Sequence, residues 1–159
     1  MRVKDLMTSP AMTCRADARL NDVARVMWEC DCGSVPIVDD DGRLKGILTD
    51  RDVCMAAYTQ GRPLQEIAVD TAMTEQVLVC HVDDSLETAE QLMREGQVRR
   101  IPVIDNDGRP RGILSMNDVT RAAAEERRAT IDREVVQTLA AVGEPRNQRA
   151  RPSAQRLHA

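Results

Sequence analysis

Aromatic side chains are nearly missing from this chain of 159 residues: Trp28 and Tyr58 stand alone, with no phenylalanine. Stacking platforms for single-stranded nucleic acid need several such rings, so that class of binder is excluded. Histidine is almost as scarce, at His81 and His158. With so few, no nucleophile–histidine–acid set and no histidine-based zinc centre can be assembled. No apolar run approaches the ~20 residues of a membrane-spanning helix. Met1 to Asp5 leads straight into patterned sequence, with no signal-peptide h-region. The net charge of −4 argues against a basic, nucleic-acid-binding surface over the whole chain. Gly-x-Gly-x-x-Gly and Walker loops are both missing. No enzyme is expected from this inventory.

Five cysteines are present, Cys14, Cys30, Cys32, Cys54 and Cys80. An odd count without a signal segment points to a reducing, cytoplasmic setting rather than a disulfide framework. The core has to be built from Val, Ile, Leu, Met and Ala.

Sliding the sequence along itself shows a duplication. Residues 3–57 align without gaps to residues 69–123, an offset of 66. About 20 of roughly 55 pairs are identical, far above chance, which is the signature of an internal repeat. Val35-Pro36-Ile37-Val38 falls on Ile101-Pro102-Val103-Ile104, and Gly46-Ile47-Leu48-Thr49 on Gly112-Ile113-Leu114-Ser115. Two copies are too few for a solenoid. They suit two lobes related by a pseudo-twofold axis.

Each copy reads as β-α-β-β-α. A short extended piece (Ala11 to Cys14, Val77 to Cys80) precedes a helix with apolar residues at helical spacing, Leu20, Val23, Ala24 and Met27 or Leu86, Ala89, Leu92 and Met93. Asp84 and Glu87 have capping-box spacing at the second of these helices. A β-branched run with proline at its second position follows. Lacking a ladder donor, it is expected at a sheet edge or at its own start. Asp41-Gly42 and Asp107-Gly108 signal hairpin turns, and a second helix begins near Asp50 to Asp52 or Asn117-Asp118. The expected units are residues 1–61, residues 62–124, a helical extension over 125–142 and a disordered Arg/Pro-rich tail over 143–159. In the extension, Ile131, Val135, Leu139 and Val142 form one apolar stripe. Trp28 is expected in packing or at a dimer contact.

The heptapeptides Gly46-Ile47-Leu48-Thr49-Asp50-Arg51-Asp52 and Gly112-Ile113-Leu114-Ser115-Met116-Asn117-Asp118 carry a resemblance. So do Met7-Thr8 and Met73-Thr74, which open the two copies. Over residues 1–124 the chain resembles a tandem pair of cystathionine-β-synthase (CBS) domains, a Bateman module. The resemblance implies an α/β (α+β) fold with a small sheet and helices in each repeat, the two packed sheet to sheet. It also implies a cleft between the repeats for adenosine derivatives: AMP, ADP, ATP, NAD or S-adenosylmethionine. Such modules commonly form dimers and regulate enzymes or transporters, here a separate effector protein. No cofactor or metal is implied.

Residue by residue, Asp52 and Asp118 match the carboxylates that accept both hydroxyls of a ribose diol. Thr49 and Ser115 offer hydroxyls at the strand-to-helix turn, with Asp50 beside them, and helix N-terminal N–H groups favour phosphate there. Val35, Pro36 and Ile37, and Ile101, Pro102 and Val103, would wall an adenine slot. Backbone around Thr13-Cys14 and Val79-Cys80 would read the adenine edge. Arg99 or Arg100 would neutralise phosphate in the second site, where the first copy has Gly33-Ser34. The second site is therefore expected to prefer more phosphate charge. Other readings stay open. The two aspartates can be helix N-caps. The pair can be a ligand-free scaffold for assembly. Cys30 and Cys32 can form a thiol redox or metal sensor. The arginines of the tail can bind a polyanion.

Overall fold

The computed structural model describes residues 1–126 and 129–143, with side chains described for 1–122 and 135–142. The expected tail, with Arg146, Arg149, Arg151 and Arg156, lies outside the described residues, as does the side chain of Ile131.

The described chain runs α1 (Val3–Leu6), β1 (Cys14–Arg15), α2 (Leu20–Glu29), β2 (Ser34–Val38), β3 (Leu44–Thr49), α3 (Asp50–Gln60), β4 (Cys80–His81), α4 (Leu86–Gly96), β5 (Arg100–Ile104), β6 (Pro110–Ser115), α5 (Met116–Glu126) and α6 (Ala129–Gly143). Two 3-10 turns, Leu64–Glu66 and Val69–Thr71, connect the repeats. Each repeat holds a three-stranded sheet, ordered β1-β2-β3 and β4-β5-β6. The first pair in each sheet is parallel and the second antiparallel. Gly42 and Gly108 turn the hairpins at φ 77° and 78°, a conformation that costs glycine nothing.

The proline strands β2 and β5 lie in the middle of their sheets, not at an edge. The reason is local. Pro36 pairs with Ile47, whose N–H and C=O both bond Thr74 on the far side, at 3.0 and 2.9 Å. No bond toward Pro36 is called for at that register. On the other flank, β1 meets β2 only from Ile37 onward. Pro102 repeats this arrangement against Ile113, which bonds Thr8.

Those bonds to Thr74 and Thr8 define how the repeats join. The segment that opens each copy packs in the other copy. Val3 is fully buried in the second core, with Leu86, Met93, Ile101, Val103 and Leu114. Its counterpart Val69 is fully buried in the first, with Leu20, Val23, Val35, Ile37 and Leu48. Backbone bonds reinforce the exchange symmetrically: Val3 N–H to Asp84 C=O at 3.0 Å and Val69 N–H to Ala18 C=O at 3.1 Å. The signature glycines permit it. A β-carbon at Gly46 would lie 2.8 Å from Met73 Sδ and 2.9 Å from the Thr74 carbonyl oxygen. At Gly112 the same atom would meet Met7 Sδ at 2.6 Å and the Thr8 oxygen at 2.8 Å.

Smaller differences have equally plain causes. Ser85, not Asp84, caps α4, accepting from Thr88 N–H at 3.2 Å, while Asp84 accepts from His81 N–H. The apolar stripe of α6 splits: Val135, Thr138 and Val142 are buried against α4 and α5, whereas Leu139 is exposed. Thr138 accepts from Arg94 at 2.9 Å, which turns that face inward. Trp28 is 88% exposed and so packs in neither core.

Replacing Gly112 with valine should therefore cost roughly 1–3 kcal/mol, the usual penalty of overpacking. Urea unfolding measures it, and a midpoint equal to wild type would mean the exchanged segment is not held tightly at Gly112.

Candidate functional site

Two strand-to-helix turns carry the polar chemistry, and both are built as capping boxes. At α3, Thr49 Oγ1 accepts from Asp52 N–H at 3.3 Å, while Asp52 Oδ2 accepts from Thr49 N–H at 2.9 Å and from its hydroxyl at 2.7 Å. At α5, Ser115 and Asp118 repeat the pattern at 3.3, 2.9 and 2.6 Å. The N-caps are thus Thr49 and Ser115, and the aspartates sit three residues on. Their Oδ2 atoms are committed to the fold. Oδ1 of Asp118 takes the guanidinium of Arg121, an exposed side chain one turn along. Asp118 itself is only 6% exposed.

The start of α5 opens into a cavity of about 240 Å³ between the repeats. Its walls come from three places. The stretch Thr8 to Met12 follows α1, Cys30 to Ser34 joins α2 to β2, and Ile113 to Asp118 spans the end of β6 and the start of α5. Arg100 completes the rim. The guanidinium reaches Gly33, where an added β-carbon would lie 2.6 Å from Arg100 Nη2 and 3.1 Å from Asp50 Oδ2.

Of the residues expected from the sequence, Arg100, Ser115 and Asp118 line this cavity, and Asp50 lies just behind Gly33. Thr49 and Asp52 stand at the other helix start. Arg100 shares this cavity with Ser115 and Asp118 of its own repeat, and Gly33-Ser34 of the other repeat line it too. None of the residues expected to wall the adenine slot lines this cavity. Val35, Ile37, Ile101 and Val103 are fully buried, each in the core of its own repeat, because strand alternation turns both members of a pair to that face. Pro36 and Pro102 are buried as well. Cys14 pairs with Ile37, and Cys80 with Val103, as short β1 and β4 rungs. Thr13 and Val79 precede those rungs and line no part of the cavity. Thr8, Pro10 to Met12, and Cys30 to Cys32 were missed. The Met-Thr doublets at the head of each repeat were the available signal, because they mark the segment that crosses over.

Thiol chemistry follows burial. Cys80 is fully buried, and desolvation pushes its pKa up to about 11. Burial raises Cys14 and Cys32 too, with Cys30 as the next influence on Cys32. Cys30 and Cys54 are exposed. Among the described residues, no three of His, Cys, Asp and Glu come together to hold a metal ion. The Asp39-Asp40-Asp41 run closes a turn, with Asp39 Oδ1 accepting from Asp41 and Arg43 N–H groups at 3.0 and 2.9 Å. A wider hollow of about 500 Å³ lies there. Five carboxylates, Asp17, Asp39, Asp40, Asp41 and Asp70, face Arg15 and Lys45 in it, a balance that repels phosphate.

The profile of the CBS domain matches residues 3–58 and 66–125, both copies. The chain belongs to the CBS-domain family. The CBS domain-containing protein YhcV of Bacillus subtilis is 35% identical over 117 residues, 74% of this chain and 81% of its own. Two solved structures are similar. One is the CBS domain pair of protein MJ0100 in complex with 5′-methylthioadenosine and S-adenosyl-L-methionine, at 25% identity and TM-score 0.72, covering 79% of this chain and 98% of that one. The other is CBSX2 in complex with AMP, at 29% identity and TM-score 0.69, covering 80% and 98%. The fold here is thus that of a CBS pair, and similar CBS pairs hold adenosine compounds. Among the described residues no helix is long and apolar enough to cross a membrane.

The Cys80 thiol gives a pH signature. Its folded pKa, near 11, exceeds the ordinary value of 9.0. The unfolded chain therefore ionises first, and stability present below pH 9.0 is lost as pH rises toward 11. The loss should be on the order of 2 kcal/mol. Denaturant titrations of wild type and Cys80→Ala, compared from pH 8 to 11, measure it. Parallel curves would contradict the assignment.

Proposed function

We propose that this CBS pair is a regulatory module that binds an adenosine-containing ligand in the cleft between its repeats. The observation that carries the reading is the cavity at the start of α5. It brings a carboxylate, a hydroxyl, a helix N-terminus and an arginine around one space. In the bound state Asp118 accepts the ribose hydroxyls, which it does by sharing Oδ1 with or releasing Arg121. Arg121 is the exposed member of the pair, so its guanidinium can turn to water when the ligand takes its place. Ser115 and the positive end of α5 face the anionic part. Backbone of Thr8 to Met12 reads the adenine edge. The space is slightly below the ~300–1,000 Å³ typical of small-molecule pockets, which favours a nucleoside or monophosphate over a dinucleotide.

Ligand binding acts on a homodimer and, through it, on a separate effector protein in the cytoplasm. It does so by favouring one arrangement of that assembly over another, since a ligand with equal affinity for both would shift nothing.

Calorimetry with AMP, ATP, 5′-methylthioadenosine and S-adenosylmethionine tests the reading, and binding of at least one is expected. A folded protein that takes none of them would be a scaffold. Alkylation gives the location. A bound ligand should slow the reaction of Cys30, which lines the cavity, by several-fold, and leave the exposed Cys54 on α3 unchanged. Equal rates at Cys30 with and without ligand would place the ligand elsewhere.

A further inference from the structure

The repeat offset carries each wall of the cavity onto a second cleft, at the start of α3. Thr8–Met12 maps onto Thr74–Leu78, Cys30–Ser34 onto Gly96–Arg100, and Ser115–Asp118 onto Thr49–Asp52. The two clefts are not equivalent.

The first difference is one of space. Met12 and Cys30 line the Asp118 cavity, and both are exposed. Their counterparts are Leu78 and Gly96. A β-carbon at Gly96 would collide with Cδ1 of Leu78. Leu78 therefore lies in the room that the Cys30 side chain takes in the other repeat, and only glycine at the end of α4 lets it settle there.

The second difference is charge. Gly33 has no side chain, and Arg100 leans into the space this leaves, onto the rim of the Asp118 cavity. The other cleft differs at both positions. The counterpart of Arg100 is Ser34, which is neutral and 2% exposed, and the counterpart of Gly33 is Arg99, which is exposed. Asp50, whose counterpart is Met116, turns its carboxylate toward Gly33 and Arg100. The carboxylate of Asp118 is moreover paired with Arg121, whose counterpart is Met55.

We infer that each chain has one working cleft, the one at Asp118, that its occupant is an adenosine carrying a phosphate set against Arg100, and that Leu78 keeps the Asp52 cleft shut. This rests on the adenosine-binding reading above and adds the stoichiometry, the location and the chemical class of the ligand.

Calorimetry on the whole chain with AMP and with 5′-methylthioadenosine separates the possibilities. One AMP per chain is expected. Asp118→Asn should weaken AMP about tenfold or more, the scale of one charge-assisted hydrogen bond. Asp52→Asn makes the equivalent change in the matching capping box of α3, so it shows what loosening such a box does to the fold, and it should leave AMP within about twofold. Arg100→Ala should weaken AMP by about tenfold and the uncharged 5′-methylthioadenosine far less. Leu78→Ala should raise the stoichiometry to two. Should that variant fail to fold, Leu78→Met, which copies Met12, makes the same test. Two sites in wild type, or AMP lost in Asp52→Asn and kept in Asp118→Asn, would overturn this inference alone. No binding by either compound would overturn it together with the regulatory reading.

Discussion

Everything in this fold depends on a reciprocal exchange. The chain enters each repeat by way of the other: Val3 fills the second core, and Val69 fills the first. Paired backbone bonds, Thr8 with Ile113 and Thr74 with Ile47, then stitch each opening segment to the far sheet. Neither lobe has a complete core without the partner's segment. Small lobes bury too little surface alone to be stable with confidence of a single state, and sharing segments is one remedy. The exchange also explains why the signature begins with glycine. Gly46 and Gly112 lie where the crossing chain passes at contact distance, and no β-carbon fits.

The exchange creates the cleft as well. Because Thr8 is bonded to Ile113, the segment that follows it is laid beside the start of α5. The capped start of α5 is thereby given a facing wall from the other repeat. The aspartates do two things at this place. One oxygen closes the capping box and cannot be released without loosening the helix. The other, in Asp118, takes Arg121 and is the atom proposed to meet the ligand. The same residue thus fixes the site and is its candidate contact.

Symmetry is kept where packing demands it and broken where the cleft is lined. The capping boxes agree to within 0.1 Å between repeats at each of their three bonds. The positions that differ, Cys30 and Gly96, Gly33 and Arg99, Ser34 and Arg100, cluster at the junction of the first long helix with its strand. A change there leaves both cores intact, so the two clefts are free to diverge.

Much of this was legible in the sequence for a physical reason. The duplication, the helices Leu20–Glu29 and Leu86–Gly96, the hairpin turns at Gly42 and Gly108, and the Thr/Ser-x-x-Asp boxes are written in residues a few positions apart. Periodicity, caps and turns act over that range. Even there Ser85 displaced Asp84 as a cap, because Asp84 bonds His81 instead. The tertiary structure alone decided the rest. It set Pro36 and Pro102 in central strands, turned Val35 and Ile37 away from the cleft, exposed Leu139, and brought Gly33 and Ser34 of one repeat beside Arg100 and Asp118 of the other. Each of these depends on which distant segment lies alongside. A residue's neighbours in the other repeat lie far along the chain, as Thr8 and Ile113 or Val69 and Ala18 do, and no local pattern records which face it will meet.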